Sequence, residues 1–232
     1  MEAEEPAIRL KSEILKFDEP VLLVGGADAD PETLRQHAHL PIVAADGGAN
    51  HLRRSSILPR AVIGDLDSVT DKDHWQSVSK VVEVNEQDTT DFEKCLYLVD
   101  APLFIAVGFT GNRLDHTLAT LHVMQKLRKK KRVVLLSHDD VARVCSEAVE
   151  LDLPVGARVS IYPLSRIDFQ TSVGLLYPLD GLIMQAGEMI GTSNSCSKPK
   201  VKIVPQKESP SDEGCYVSVS YTHLTLPTIY SV

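Results

Sequence analysis

Apolar residues in this chain come in short runs, and what lies between the runs differs from one half to the other. In the first half the runs are Val21–Val24, Ile42–Ala45, Ala61–Ile63, Val81–Val84, Leu103–Val107 and Val133–Leu136. Runs of this length, separated by helix-length segments, read as buried parallel strands. The intervening pattern predicts helices over 31–38, 48–55, 71–77, 89–99 and 114–129, the last carrying Leu114, Leu118, Leu121 and Met124 on one face. After Ser137 the grammar changes to short strand candidates at 140–145, 149–153, 158–163, 174–176, 182–186, 200–204 and 216–220. Turn signals such as Leu153-Pro154-Val155-Gly156 and Pro178-Leu179-Asp180-Gly181 separate them, and no helical period spans this half. Regularly spaced short strands predict a sandwich.

The fold class expected is therefore α/β: an N-terminal, mostly parallel sheet with helices on both faces, followed by a smaller C-terminal all-β sandwich domain. The expected bounds are an arm over 1–19, an α/β domain over 20–137 and a β-domain over 138–220. Residues 221–232 lack the apolar strand on which such a domain is expected to end. The phrase Ser220-Tyr-Thr-His-Leu-Thr-Leu-Pro-Thr228 reads as translated sequencing adapter, so this tail is expected to be non-native.

Chemistry enters where the strands stop. Asp46 follows the second run, Asp65 and Asp67 with Ser68 follow the third, and Asp88 and Asp91 follow the fourth. Carboxylates at the carboxyl ends of parallel strands converge on the crevice where open α/β sheets bind ligands. Several of them facing one crevice repel unless a cation sits between, and Mg²⁺ typically arrives with substrate phosphates. The loop Gly108-Phe-Thr-Gly111-Asn-Arg113-Leu-Asp115-His116 follows the next strand and opens into a helix, a setting that suits phosphate. It matches neither G-x-x-x-x-G-K-[ST] nor G-x-G-x-x-G.

Taken in order, Asp46-Gly-Gly-Ala-Asn50, Gly64-Asp-Leu-Asp-Ser68, Gln87-Asp-Thr-Thr-Asp-Phe-Glu-Lys94, Gly108 to His116 and Gly191-Thr-Ser-Asn194 resemble the thiamin pyrophosphokinase family over about Val21 to Val204. The resemblance implies transfer of a pyrophosphoryl group from ATP, with Mg²⁺, to the hydroxyethyl oxygen of thiamin, giving thiamin diphosphate and AMP. It implies that Asp65, Asp67 and Asp91 hold the metal, and that Gly26, Asp46, Gly47, Asn50, Asp88, Thr90, Lys94 and Gly111 bind the nucleotide. Arg113 would neutralise the moving group, and Asp67 or Asp115 would take the alcohol proton. Ser193 and Asn194, read as a loop between strands, would reach thiamin. A homodimer is implied too, with thiamin held by the α/β domain of one subunit and the β-domain of its partner.

Plainer readings stand beside these. Asp65 and Asp67 suit turn capping, Asp46 a cap for the helix at Gly48, and Asp88 an N-cap with Asp91 as its capping-box acid. Lys94 suits a pair with Asp91 one turn away, and Arg113 a local pair with Asp115. His116 reads as a structural hydrogen-bonder and Trp75 as packing. Two other functions compete: another Mg²⁺-dependent phosphotransferase or phosphohydrolase, and a non-catalytic thiamin or nucleotide binder.

Composition narrows the partners. The chain has 232 residues, 43% hydrophobic and 24% charged, with a net charge of −8. That charge argues against nucleic acid as a partner. The one dense basic run, Lys129–Arg132, reads as a solvated helix end. No apolar stretch approaches a membrane span, and the acidic start is unlike a secretory signal. Cys95, Cys145, Cys196 and Cys215 have no C-x-x-C spacing, so neither a zinc site nor a disulfide framework is expected. A cytoplasmic location is the default.

Overall fold

The computed structural model describes residues 14–206 and the backbone of 215–220. Most of the expected arm and the expected non-native tail lie outside the described residues. The chain divides into two compact units, one reaching Val123 and including Lys129–Arg132, the other comprising Met124–Arg128 and the chain from Val133 onward.

The first unit is built on a five-stranded parallel sheet ordered β7 (Phe104–Val107), β2 (Val21–Val24), β3 (Ile42–Ala45), β4 (Ala61–Gly64), β5 (Lys80–Glu83). Every residue of β2, β3, β4 and β7 is buried, which is why these strands are continuous apolar runs rather than alternating ones. Edge strand β5 is only half-covered. The strands alternate with α1 (Pro31–Gln36), α2 (Gly48–Arg54), α3 (Lys72–Val78) and α4 (Asp91–Leu98), and α5 (Leu114–Leu127) follows β7. The chain leaves β2 towards β3 but returns to β2's other side with β7, so the loops after β2 and β7 flank a topological switch point.

Part of the expected arm is tied down: β1 (Leu15–Lys16) pairs in parallel with β6 (Val99–Asp100). The predicted stripe on α5 is also corrected. Thr120, Val123, Met124 and Leu127 are buried, whereas Leu114 and Leu118 are 74% and 57% exposed. Burial on α5 starts at Thr120 rather than at the leucines of its first half.

The second unit is antiparallel. One sheet runs β14 (Gly191–Ser195), β11 (Arg158–Pro163), β16 (Cys215–Ser220), β9 (Asp140–Cys145), β8 (Val133–Leu136). The other runs β10 (Val149–Asp152), β15 (Lys200–Pro205), β12 (Ile167–Val173), β13 (Ile183–Met184). Inward residues of both sheets, among them Val159, Ile161, Phe169, Val201 and Ile203, form one core. That is a sandwich, with the in/out alternation of strands wet on one side. The expected boundary after 137 moves to 132/133, since β8 pairs antiparallel with β9. Residues 174–176 form no strand. Ile167–Val173 does, with Ile167 and Phe169 buried in alternation, and so does Gly191–Ser195. Among the described residues no helix is long and apolar enough to cross a membrane.

Candidate active site

The acidic residues of the first unit gather at the carboxyl edge of its sheet because backbone geometry turns them there. Asp46, directly after β3, has φ 42, and Leu66, between Asp65 and Asp67, has φ 64. A left-handed non-glycine residue costs of order 1–3 kcal/mol and persists only where its surroundings hold it. Leu66 is held by burial at 3% exposure, and a buried residue between two acids leaves both carboxylates on the open side. One oxygen each from Asp46, Asp65 and Asp67 lies within 4.8 Å of the others. Gly64 keeps the cluster tight: a Cβ there would come 2.8 Å from the Asp46 Cβ and 3.2 Å from Asp91 Oδ1.

The three carboxyls are not alike. Asp46 is buried and its Oδ1 has no hydrogen-bond partner. Burial, then the charge of Asp91, pushes its pKa up from the usual carboxylate range. Asp65 is half-buried and held below that range, first by the Asp67 N–H at 3.2 Å and then by the Gln87 amide at 3.2 Å. Asp67 is exposed and accepts from the Ser68 hydroxyl at 2.7 Å. An orphaned carboxylate oxygen, buried beside two more carboxylates, suits a hard divalent cation.

Asp91, expected among the metal ligands, lies beside this group and interacts electrostatically with Asp65 and Asp67. Its Oδ1 accepts from Lys94 Nζ at 3.0 Å, and burial raises its pKa despite that partner. Lys94, expected at the nucleotide, is itself buried and paired with Asp91. Asp88 is exposed and is not the N-cap of α4. Thr90 takes that role, accepting from the Glu93 N–H, while Glu86 accepts the N–H groups of Asp88 and Thr89. Asp46 does not cap α2 with its side chain either, since Gly47 occupies the cap position.

Asn50, expected at the nucleotide, turns its amide to the loop that follows Asp65 and Asp67. It donates to the Ser68 carbonyl at 2.8 Å and accepts from the Thr70 N–H at 2.9 Å and hydroxyl at 2.6 Å. The glycines at the rim are contact points. A Cβ on Gly48 would fall 1.9 Å from the Val24 oxygen, so α2 begins against the end of β2. One on Gly25 would fall 2.4 Å from the Gly108 oxygen, and one on Gly108 2.5 Å from the Gly25 oxygen. The Gly25 N–H donates to Val107 and the Ala27 N–H to Gly108, both at 2.8 Å. Gly26 is exposed, with the Gly47 backbone 3.5 Å from where its Cβ would be.

On the loop after β7, Gly111 has φ 85 and lies beside Asp28. Arg113 and Asp115 are paired through two bonds, Nε–Oδ1 at 3.1 Å and NH2–Oδ2 at 2.5 Å, each side chain 65% exposed. The fork holds the Asp115 carboxyl below its usual range. Phe109 anchors this loop, its ring 4.6 Å from that of Phe92, and Thr120 donates back to the Phe109 carbonyl.

Within the second unit, Ser193 is exposed with φ 61, and its N–H donates to Ser160 Oγ at 3.1 Å. Asn194 is buried, and its amide bridges the Tyr177 backbone, accepting from its N–H at 3.0 Å and donating to its carbonyl at 2.7 Å. So both lie in strand β14 rather than in a loop, and Asn194 holds backbone. Residue types alone did not mark Asp46 as the third member of the carboxylate group, nor Leu66 as the residue that aims the other two. The glycine and apolar neighbours of those positions were the available signal.

This arrangement has relatives. A family model, "Thiamin pyrophosphokinase, catalytic domain", matches residues 32–136, from α1 to β8. The chain is 28% identical over 227 residues to Thiamine pyrophosphokinase 1 of Arabidopsis thaliana, covering 83% of each. It is 28% identical over 177 residues to Thiamin pyrophosphokinase 1 of Caenorhabditis elegans, covering 68% of this chain and 72% of that one. Its fold is that of the thiamin pyrophosphokinase from Candida albicans, at TM-score 0.75 and 18% identity, over 90% of this chain and 92% of that one. The enzyme of Geobacillus thermodenitrificans gives TM-score 0.72 at 21% identity, over 90% and 99%. With the motif loops at one sheet edge, the chain matches the thiamin pyrophosphokinase catalytic domain over residues 32–136 and is similar to thiamine pyrophosphokinases along most of its length.

Proposed function

We propose that this chain is an enzyme that moves the pyrophosphoryl group of ATP onto the hydroxyethyl oxygen of thiamin, releasing thiamin diphosphate and AMP. The alcohol oxygen bonds to the β-phosphorus, the bond from that phosphorus to the oxygen of AMP breaks, and the alcohol proton passes to a carboxylate. The observation that carries the reading is the Asp46, Asp65, Asp67 group with its orphaned buried oxygen, at the sheet edge where nucleotides bind in such folds. The family supplies the substrates.

These three carboxylates would hold Mg²⁺, which when bound supplies positive charge against the triphosphate oxygens. Asp46 joins the expected set of Asp65, Asp67 and Asp91, since Lys94 holds only Oδ1 of Asp91 in the bond described. The backbone at Gly26, Gly47 and Gly111 admits phosphate closely, and the Thr90 hydroxyl keeps its proton for a phosphate oxygen while capping α4. Arg113, on an exposed loop, exchanges Asp115 for the phosphate in flight. A carboxylate forked to a guanidinium is a weak base, which favours Asp67 over Asp115 for the alcohol proton. Little covalent chemistry is asked of the protein; positioning and charge carry the rate. The acidic crevice and the net charge of −8 attract the cationic thiazolium ring.

Two copies are inferred to associate as a two-fold dimer that completes the thiamin site through Ser193 and the segment held by Asn194. The exposed Leu114 and Leu118 support a face that needs cover. The deciding experiment is incubation with ATP, Mg²⁺ and thiamin, following AMP and thiamin diphosphate. Formation of both supports the reading, ADP in place of AMP assigns a different kinase, and thiamin binding without turnover refutes catalysis.

A further inference from the structure

The four cysteines of the chain have no spacing that groups them, yet register sets two of them opposite one another. Strands β9 and β16 pair antiparallel without a shift, and the ladder places Cys215 directly across from Cys145. Among the described residues no other two cysteines are register partners: Cys95 lies on α4 of the first unit, and Cys196 bridges to Leu175. Residues opposite one another in such a pair share a face of the sheet. At Cys145 that face is the sandwich core, where this residue is 4% exposed. The hairpin before β9 fixes the kind of pair. The Ser137 N–H donates to the Asp140 carbonyl, so Asp140 turns its backbone groups towards β8, and alternation along the strand turns those of Cys145 towards β16. A hydrogen-bonded pair of this kind has Cα atoms about 5.5 Å apart, within the roughly 4.4–6.8 Å that a disulfide spans.

Two further features add chemistry to this proximity. Cys145 ends β9 and Cys215 begins β16, so they close the ladder at one end, where local opening takes least free energy. Burial pushes the pKa of the Cys145 thiol up, and the Arg143 side chain, two residues away on the same strand, opposes this with its charge and a hydrogen bond. A guanidinium beside a cysteine favours the thiolate, the form that exchanges with disulfides. The Cys196 thiol is pushed up by burial with no such opposition.

We propose that Cys145 and Cys215 are a redox modification site that takes a small-molecule disulfide, such as oxidised glutathione, and closes into a reversible cross-strand disulfide. One thiolate attacks a sulfur of the oxidant, whose S–S bond breaks, and one glutathione thiolate leaves and takes up a proton. The second cysteine gives up its proton and attacks the mixed disulfide, and a second glutathione leaves. Two protein thiols are oxidised, and one glutathione disulfide is reduced to two thiols. The bond staples β16 to β9 in the sheet that continues through β11 to β14, the strand of Ser193 and Asn194. In a reducing pool both remain thiols, as Cys145 is in this structure. None of this rests on the substrate reading under Proposed function.

The test equilibrates the full-length chain in glutathione buffers from fully reduced to fully oxidised, maps disulfides by mass spectrometry of unreduced peptides, and records melting temperatures. Oxidation should link Cys145 to Cys215 within one chain and leave Cys95 and Cys196 as thiols. It should raise the melting temperature by about 5–10 °C, and dithiothreitol should reverse both changes. Cys145→Ser and Cys215→Ser should each lose the link and the oxidation-dependent rise. Comparing each variant oxidised against reduced keeps any packing loss caused by the serine out of the reading, and Cys215→Ala serves if Cys145→Ser does not fold. Glutathione left on either cysteine, a bond between two chains, a link joining any other pair, or a linked chain that melts no higher than the reduced one overturns the proposal.

Discussion

Asn50 and Thr70 are twenty residues apart, yet one amide oxygen of Asn50 accepts both the backbone N–H and the hydroxyl of Thr70. With its donation to the Ser68 carbonyl, this fastens the loop carrying Asp65 and Asp67 to the first turns of α2. Asn50→Ala should lose about 1–3 kcal/mol of stability, at roughly 1 kcal/mol net per bond. Turnover should fall about tenfold as the two carboxylates loosen. Asn50→Asp keeps the Thr70 contacts and should retain more of both. Denaturant titration and steady-state rates check this, and an Asn50→Ala chain unchanged in both would show the clamp to be idle.

Asp67→Asn and Asp46→Asn preserve shape and remove one charge each from the carboxylate group. Each should lower turnover by about 10²–10³, the scale for losing one preorganised electrostatic contact. Asp46→Asn should also raise the melting temperature in EDTA, because it relieves a buried, repelled carboxyl. Turnover within a few-fold of wild type for either variant would remove that residue from the site.

His37 is fully buried at the end of α1, with Nδ1 2.8 Å from the Thr33 carbonyl and Nε2 without a partner. The Nδ1–H donates, so the ring sits neutral, and burial lowers its pKa below the ordinary 6.5. The unfolded chain therefore takes up a proton at a higher pH than the folded one. Stability from this residue is full above the unfolded value and is lost as pH falls through it towards the folded value. Unfolding free energies from pH 8 to 5 should decline, and His37→Phe should flatten that decline. A His37→Phe chain with the wild-type slope would place the effect elsewhere.

Gly48 and Gly26 offer a contrast within one rim. A methyl on Gly48 meets the Val24 carbonyl oxygen at 1.9 Å, so α2 must move, whereas at Gly26 the nearest atom is 3.5 Å away. Gly48→Ala should cost about 3 kcal/mol or more, at the upper end of overpacking penalties. Gly26→Ala should stay within about 1 kcal/mol and act, if anywhere, on KM for ATP. Melting curves and KM values for the two variants separate these outcomes.

The shared site of the proposed dimer predicts complementation. An inactive Asp67→Asn chain mixed with an inactive Asn194→Ala chain should regain some activity, since one site of each mixed dimer has both residues intact. Mixed dimers that demonstrably form and stay inactive would refute the shared site.

Much of the first unit was legible because a strand buried on both faces has to be a continuous apolar run, and β2, β3, β4 and β7 are such runs. Helix α4 was readable as a helix but not in its cap, because Asp88 and Thr90 both have capping chemistry and only tertiary position chooses Thr90. Strand β14 escaped because Gly191-Thr-Ser-Asn-Ser carries no apolar alternation; β11 and the inward Asn194 hold it in the sheet. The acids were legible as a group, since Asp46, Asp65, Asp67, Asp88 and Asp91 all follow apolar runs. Which of them share a point in space depends on the left-handed turns at Asp46 and Leu66 and on Lys94 beneath Asp91, and none of these has a sequence period.

The mutual contact of Gly25 and Gly108 has a kinetic consequence. With each carbonyl lodged where the other residue's side chain would be, the turns after β2 and β7 are welded, and neither swings without parting the other. Little ordering entropy is left to be lost when a ligand docks on that weld. A nucleotide arriving there meets a finished surface, and substitutions along it should change how long the nucleotide stays more than how fast it comes.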